Sequence, residues 1–266
     1  MRFSLVIATL LAAPVLRGAD FNIESTLSYT LPVPNEAEVR SSFAALMDHK
    51  LDGQWHFVWG MEYERFDFGK GKAGLPDTLQ AIGGHLDLEY RVDEDPVFIL
   101  ELQPGWHSGA NVDHGTYDVP VTLASGYPIT KGLDAAFGVY YARLTRYPFL
   151  PVGGLVWKIN EKLEADLVFP NSFIAWSVNK GDTLSAFANV MGTGFQTDDP
   201  LGHREKLEYY QTRTGVQWEH EFAPGWSSTV QAGWSLDRTM DFYQLQSKGT
   251  TLVPAPFLSL GFKARF

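Results

Sequence analysis

Residues 257–266 read FLSLGFKARF and end the chain on a phenylalanine. Leu258, Leu260, Phe262, Ala264 and Phe266 fall on one parity, and Ser259, Gly261, Lys263 and Arg265 on the other. That is the period-two pattern of a strand with one apolar and one polar face. Chain ends usually fray and are polar unless a sheet ties them down, so a terminal aromatic predicts a last strand held along its whole length.

The same alternation runs through the rest of the chain. In FNIESTLSYT, 21–30, the residues Phe21, Ile23, Leu27 and Tyr29 oppose Asn22, Glu24, Thr26 and Ser28. In QWHFVWGMEY, 54–63, an almost wholly aromatic face of Trp55, Phe57, Trp59, Met61 and Tyr63 opposes Gln54, His56, Val58, Gly60 and Glu62. IGGHLDLEY (82–90) and VFILELQPGWH (97–107) repeat it, as do YDVPVTL, LDAAFGVYYA, KLEADLVF, TLSAFANVM, TGVQWEHEF and WSSTVQAGWSL further on. A soluble sandwich would turn the apolar face into a core, whereas a membrane barrel turns it to lipid and lines its interior with the polar face.

Turn chemistry separates these alternatives. Short punctuators, DEDP at 93–96, INEK at 159–162, NKGD at 179–182 and APG at 223–225, mostly alternate with longer stretches at 69–78, 108–116, 143–150, 192–204 and 244–254. Short turns at one end and longer loops at the other are the habit of bacterial transmembrane barrels, which carry an even number of strands. Counting back from Phe266 predicts strands at 21–30, 37–46, 53–67, 79–91, 96–107, 117–126, 133–142, 151–158, 162–169, 171–178, 183–191, 205–221, 228–240 and 256–266. The expected fold is therefore all-β, a transmembrane antiparallel β-barrel of fourteen strands. Twelve is the competing count, because the break at Pro170 and Asn171 could be a bulge. No window sustains a helical period, no linker divides the chain, and a closed sheet leaves no unpaired edge in hydrocarbon.

Composition narrows the function classes. With 45% hydrophobic and 14% aromatic residues the chain is not a disordered tract. A formal net charge of -10 argues against nucleic-acid partners, and the lack of cysteine removes disulfides, thiolate nucleophiles and Cys-ligated metals. Residues 1–19, MRFSLVIATLLAAPVLRGA, have the build of an export signal: an early Arg, an apolar run too short to span a membrane as a helix, and small residues at Gly18 and Ala19. Residues 20–266 are then expected to form one outer-membrane barrel domain. Its expected partners are outer-membrane lipids, the outer-membrane assembly machinery and, if the lumen is open, small solutes. Removing Arg2 and Arg17 leaves that part with 19 basic and 31 acidic residues, a balance of -12.

The terminal aromatic after alternating apolar positions resembles the C-terminal signature by which Gram-negative outer-membrane barrels are recognised for assembly, which makes Phe262 and Phe266 the candidate assembly signal. Residues 149–194, with Pro151, Gly153, Gly154, Trp157 and Pro170, resemble the core of the bacterial DUF6268 family, as does KLEYYQTRTGVQWEHEFAPGWSSTVQAGWSLDRTMDFY at 206–243. The resemblance implies an outer-membrane barrel and brings no catalytic pattern. Independently, Trp55, Tyr63, Tyr90, Trp106, Tyr117, Tyr127, Tyr141, Trp218, Trp226, Trp234 and Phe266 sit at or near strand ends, where amphipathic rings suit the headgroup level.

His56, Glu62, His85, Asp87, Glu89, Glu101, Gln103, His107, Asp166 and Glu219 occupy the less apolar parity and are the candidate lumen residues. His56, His85 and His107 with Glu101 could form a metal or proton-transfer cluster, but no diagnostic spacing joins them. The pattern therefore assigns no metal and no cofactor, and a hydrated, hydrogen-bonded interior is the plainer reading. Ser125 and Ser177 stand in no nucleophile motif, HREKLEYY (203–210) lacks the H-E-x-x-H spacing, and GKGKAG (69–74) lacks the full phosphate-loop pattern, so no catalytic residue is assigned. The function expected is a pore for small solutes with an acidic lumen. The alternatives are a structural or binding surface barrel and, less well supported, an embedded lipid hydrolase.

Overall fold

The computed structural model describes residues 19–31, 37–69, 76–92, 95–198, 203–242 and 250–266. The signal-like residues 1–18 and most of the GKGKAG stretch lie outside them. The strands, in chain order, are β1 (Ala19–Thr30), β2 (Glu38–Lys50), β3 (Trp55–Phe68), β4 (Thr78–Val92), β5 (Asp95–Leu102), β6 (Gly105–Ser108), β7 (Thr116–Asp118), β8 (Val121–Thr130) and β9 (Leu133–Tyr141). They continue with β10 (Phe149–Asn160), β11 (Leu163–Phe169), β12 (Asn171–Ser177), β13 (Asp182–Asp198), β14 (Arg204–Ala223), β15 (Trp226–Phe242), β16 (Thr250–Thr251) and β17 (Ala255–Arg265). The only helical turn among the described residues is a 3-10 segment, Val112–His114.

Three of these divisions are interruptions within one stave. β5 and β6 part at Pro104, β7 and β8 at Pro120, and β16 and β17 at Pro254; a proline has no N–H to give the ladder. Merging the three pairs turns seventeen segments into fourteen staves, each antiparallel to its neighbours. The sheet closes where β17 pairs with β1, from Asn22↔Arg265 to Thr30↔Phe257. Phe266 extends that seam: its N–H donates to the Phe21 carbonyl at 2.9 Å, and the Phe21 N–H donates to the Phe266 carbonyl at 3.1 Å.

The disputed break near Pro170 is a true reversal. β11 and β12 pair antiparallel as close to the bend as Val168↔Asn171, around a cis Phe169–Pro170 peptide, so the count is fourteen and not twelve. The expected loop at 192–204 is corrected. β13 continues to Asp198, pairing with β14 from Met191↔Gln211 to Asp198↔Arg204, because Met191, Thr193, Phe195 and Thr197 carry the alternation onward and Phe195 is completely buried. β2 likewise runs to Lys50, beyond the expected 46.

Ala19, Phe266 and the β2–β3, β4–β5, β8–β9, β10–β11, β12–β13 and β14–β15 connections share one end of the barrel, here the turn end; the remaining connections, the single residue Pro170 among them, form the loop end. Along the turn-end half of β3 the outward parity is Trp55, Phe57, Trp59, Met61 and Tyr63, and the inward parity includes His56, Glu62 and Glu64. One step further the assignment inverts: Arg65 and Asp67 point outward and pair at 2.7 Å, while Phe66 points inward and is 1% exposed. β14 does the same. Val216 and Trp218 face outward with Gln217 and Glu219 inside, whereas towards the loop end Lys206 and Glu208 face outward over fully or nearly fully buried Leu207 and Tyr209. An apolar outer belt over a polar interior is a membrane-spanning zone, and a polar outside over an apolar inside is a soluble β-structure. One barrel contains both, stacked end to end.

The loop end is filled. Phe66, Leu79, Phe195, Leu207, Tyr209, Met240, Phe242 and Leu252 form one buried cluster, drawn from β3 and β4 on one side and from β13, β14, β15 and the β16–β17 join on the other. A bulge at Asp237, which has φ 46°, shifts the β14–β15 register between Tyr210 and Thr212 and turns Arg238 and Met240 inward. β12 has only 7 residues against 17 in β13, so the loop-end half of β13 outruns its neighbour. It leans over the low side to meet β6 in a parallel contact, Gln196↔Ser108, with the Gly109 N–H donating to the Gln196 carbonyl at 3.1 Å. That bridge leaves β7 to β12 out of a narrower ring. The β9–β10 connection, 142–148, folds beneath it: Leu144 is 1% exposed, and Arg146 reaches Asp241 at 2.7 Å.

Candidate functional site

The polar interior lies between this cap and the turn end. On β4 the alternation of IGGHLDLEYR places His85, Asp87, Glu89 and Arg91 on one inward row. Glu62 of β3 and Glu101 of β5 flank that row. The residues directly opposite His85 and Glu62 across the β3–β4 ladder are Gly60 and Gly83, so neither side chain is displaced by a neighbour. His85 Nε2 lies 2.7 Å from Asp87 Oδ2, its Nδ1 lies 3.0 Å from Glu62 Oε1 and 3.8 Å from Glu101 Oε1, and the Gln103 amide donates to Glu101 at 2.6 Å. Asp87 and Glu101 are directly opposed in the β4–β5 ladder, a like-charge pairing that is unfavourable by itself.

A second group sits nearer the turn end. Asp48 accepts from Arg91 at 2.7 Å and lies 3.0 Å from His56 Nδ1, while Arg91 also reaches Glu89 at 2.5 Å. Here two carboxylates share an arginine, and one of them also meets an imidazole. The adjoining wall, of β1, β14, β15 and β17, is lined by a polar hollow of Glu24, Thr26, Gln217, Gln231, Ser259 and Lys263.

A third group lies under the cap. Glu38 accepts from Arg213 at 3.1 Å, from Arg238 at 3.2 Å and from the Tyr209 hydroxyl, and Arg213 also donates to Ser28 and stacks 4.7 Å over the Phe257 ring. Glu38 and Arg238 are fully buried. Sequence reasoning missed this group because its members come from β2, β14 and the bulge of β15. The one local signal was a charged Arg213 on the parity that continues from Leu207 and Tyr209.

The three histidines weighed as a possible cluster are separated. His85 and Glu101 are together; His56 pairs with Asp48; His107 lies in the cap beside the Phe195 ring, with centroids 6.0 Å apart. In the β4 register His56 is opposite Glu89 and His107 opposite Ala81, each four residues from His85, which is about 13 Å of strand. Asp166 accepts from the Val168 N–H at 3.2 Å and Glu219 from the Ser227 hydroxyl at 3.1 Å, both far from His85 around the wall. Ser125, considered as a nucleophile, donates its hydroxyl to the Val97 carbonyl at 3.0 Å.

No protein-family model and no curated protein matches the chain. Among solved structures it is similar to the KdgM porin in complex with disordered oligogalacturonate, at 11% identity and a TM-score of 0.36 over 93% of this chain and 99% of that one. It is also similar to the NanC porin, at 11% identity and a TM-score of 0.40 over 91% and 98%. A third likeness is to the Pseudomonas putida toluene transporter TodX, at 8% identity and a TM-score of 0.44 over 95% and 89%. At these values the likenesses carry no functional inference, and the closed register of the chain itself establishes the barrel.

Proposed function

We propose that this protein is an outer-membrane β-barrel of a Gram-negative type bacterium, kin to the DUF6268 family, delivered by cleavage of an N-terminal export signal. Its acidic lumen takes up small cationic solutes from the turn end, the periplasmic side, and the cap holds the loop end closed. The observation that carries this reading is the inward row of Glu62, Asp87 and Glu101 within the apolar-belted zone, where carboxylates favour cations over anions.

The test is planar-bilayer recording of the folded protein beside a variant in which residues 143–147 are replaced by a short Gly/Ser link. We expect sparse conductance from the wild type and discrete, cation-selective steps from the variant. Anion-selective steps would reject the acidic-lumen reading. Silence in both, with correct insertion, would favour the second reading, a structural or binding surface barrel, which is supported by the side-chain contacts that cross the interior at the loop end.

A further inference from the structure

Three observations converge on the His85 cluster. One ligand atom from each of His85, Asp87 and Glu101 lies within 4.8 Å of the other two. His85 and Asp87 are each only 8% exposed, yet His85 Nδ1, for all its closeness to Glu62, is not aligned for a hydrogen bond, and Asp87 Oδ1 has no hydrogen-bond partner. Buried polar atoms are seldom left so, and one on each member of the His85–Asp87 pair marks a place where a partner fits. Finally, three carboxylates meet around a single imidazole. The nearest arginine on the row, Arg91, is bound to Asp48 and Glu89, and Arg40 to Glu64.

We propose that the lumen holds a divalent transition-metal site whose ligands are His85, Asp87 and Glu101, with Glu62 beside His85 to complete the shell. The donor set chooses the class of ion. One imidazole with carboxylates suits zinc and its neighbours, whereas calcium and magnesium prefer shells of oxygen alone. Bonds of about 2.0–2.2 Å in a tetrahedral shell separate ligand atoms by about 3.4 Å. An ion takes one imidazole nitrogen, and from His85 Nδ1 the 3.0 Å to Glu62 and 3.8 Å to Glu101 bracket that spacing, while Asp87, now 2.7 Å from Nε2, joins the shell by a side-chain rotation on a rigid sheet. The dication would also offset the opposed charges of Asp87 and Glu101. Gln103, which donates to Glu101, orients one ligand from outside the shell.

This inference deepens the acidic-lumen reading but is tested without transport. Untagged protein, folded in detergent and checked for the heat-modifiable gel mobility of a closed barrel, is titrated calorimetrically with zinc chloride, and with cobalt chloride while visible absorption is followed. We expect one zinc ion per chain, undisturbed by millimolar magnesium, and cobalt bands of a low-coordinate nitrogen and oxygen site. Asp87→Asn, which keeps the side chain's shape, should weaken zinc binding at least about tenfold. His85→Gln should remove the cobalt bands, and Asp166→Asn should change neither. No saturable uptake by the wild type, or equal uptake by His85→Gln, would overturn the proposal. Zinc binding in a barrel that never conducts would leave this site standing and remove the channel, while conduction without zinc binding would do the reverse.

Discussion

Phe266 shows how much one side chain can be asked to do at a seam. Its backbone pairs with Phe21 in both directions, its ring stacks on Phe21 at 6.3 Å and meets Trp226 edge-on at 5.2 Å, and about half of its surface still faces outward. Each aromatic pair contributes about 0.5–1.5 kcal/mol beyond burial, and both are lost on truncation. We expect Phe266→Ala to lower the folded outer-membrane yield at matched expression more than Lys263→Ser does on the opposite parity. Heat-modifiable gel mobility separates folded from total protein. Equal folded yields would remove the assembly role proposed for the terminal residue. At the same scale, the His85 cluster depends on two glycines: a Cβ on Gly83 would come within 2.5 Å of the Pro104 carbonyl, so that ladder closes only where the side chain is missing.

The elements differ chiefly in length. The turn-end connections are short, as the punctuators predicted, and they fix which strands are neighbours. β13 is the element that departed from expectation, because a stretch rich in Gly and Thr with an Asp pair reads as a loop. In the fold its Phe195 fills the cap, and its Gly194 passes so near the Leu144 carbonyl that a Cβ there would clash at 1.9 Å. An epitope tag should therefore be placed between residues 198 and 203, beyond the paired strand, and not at 191–197. Whole-cell antibody labelling should detect the tag there and should miss one inserted at 179–181, the turn joining β12 to β13. Labelling of both positions, or the reverse pattern, would contradict the assigned orientation.

Across the whole molecule, the inversion of inside and outside divides a membrane zone from a soluble one. Val216 is 62% exposed on the belt, so Val216→Arg should cost about 2–4 kcal/mol if that face meets the bilayer core. Lys206 already places a charge on the same parity ten residues away, beyond the inversion, and Lys206→Glu should stay within about 0.5 kcal/mol. Urea unfolding in lipid vesicles measures both. A negligible cost for Val216→Arg would mean that this face does not meet lipid. The same inversion explains the closed loop end: once strands leave the bilayer, their apolar parity must find a core, and the nearest one is the barrel's own interior.

Period-two alternation, turn residues and a terminal aromatic were enough to reach fourteen antiparallel strands, with the first starting and the last finishing on one side, and a seam at Phe266. These depend on interactions between neighbours in sequence or across a short turn. Alternation defines two faces but cannot say which meets water, and along β3 and β14 the answer changes partway. Only the tertiary structure decided that, since it depends on which staves stand opposite across the interior. The Glu38–Arg213–Arg238 group joins residues 175 and 200 positions apart, and the placing of three histidines on three levels follows from the register of β3, β4 and β6. Shifting a strand by one residue would reverse every such assignment while leaving the alternation of the sequence unchanged.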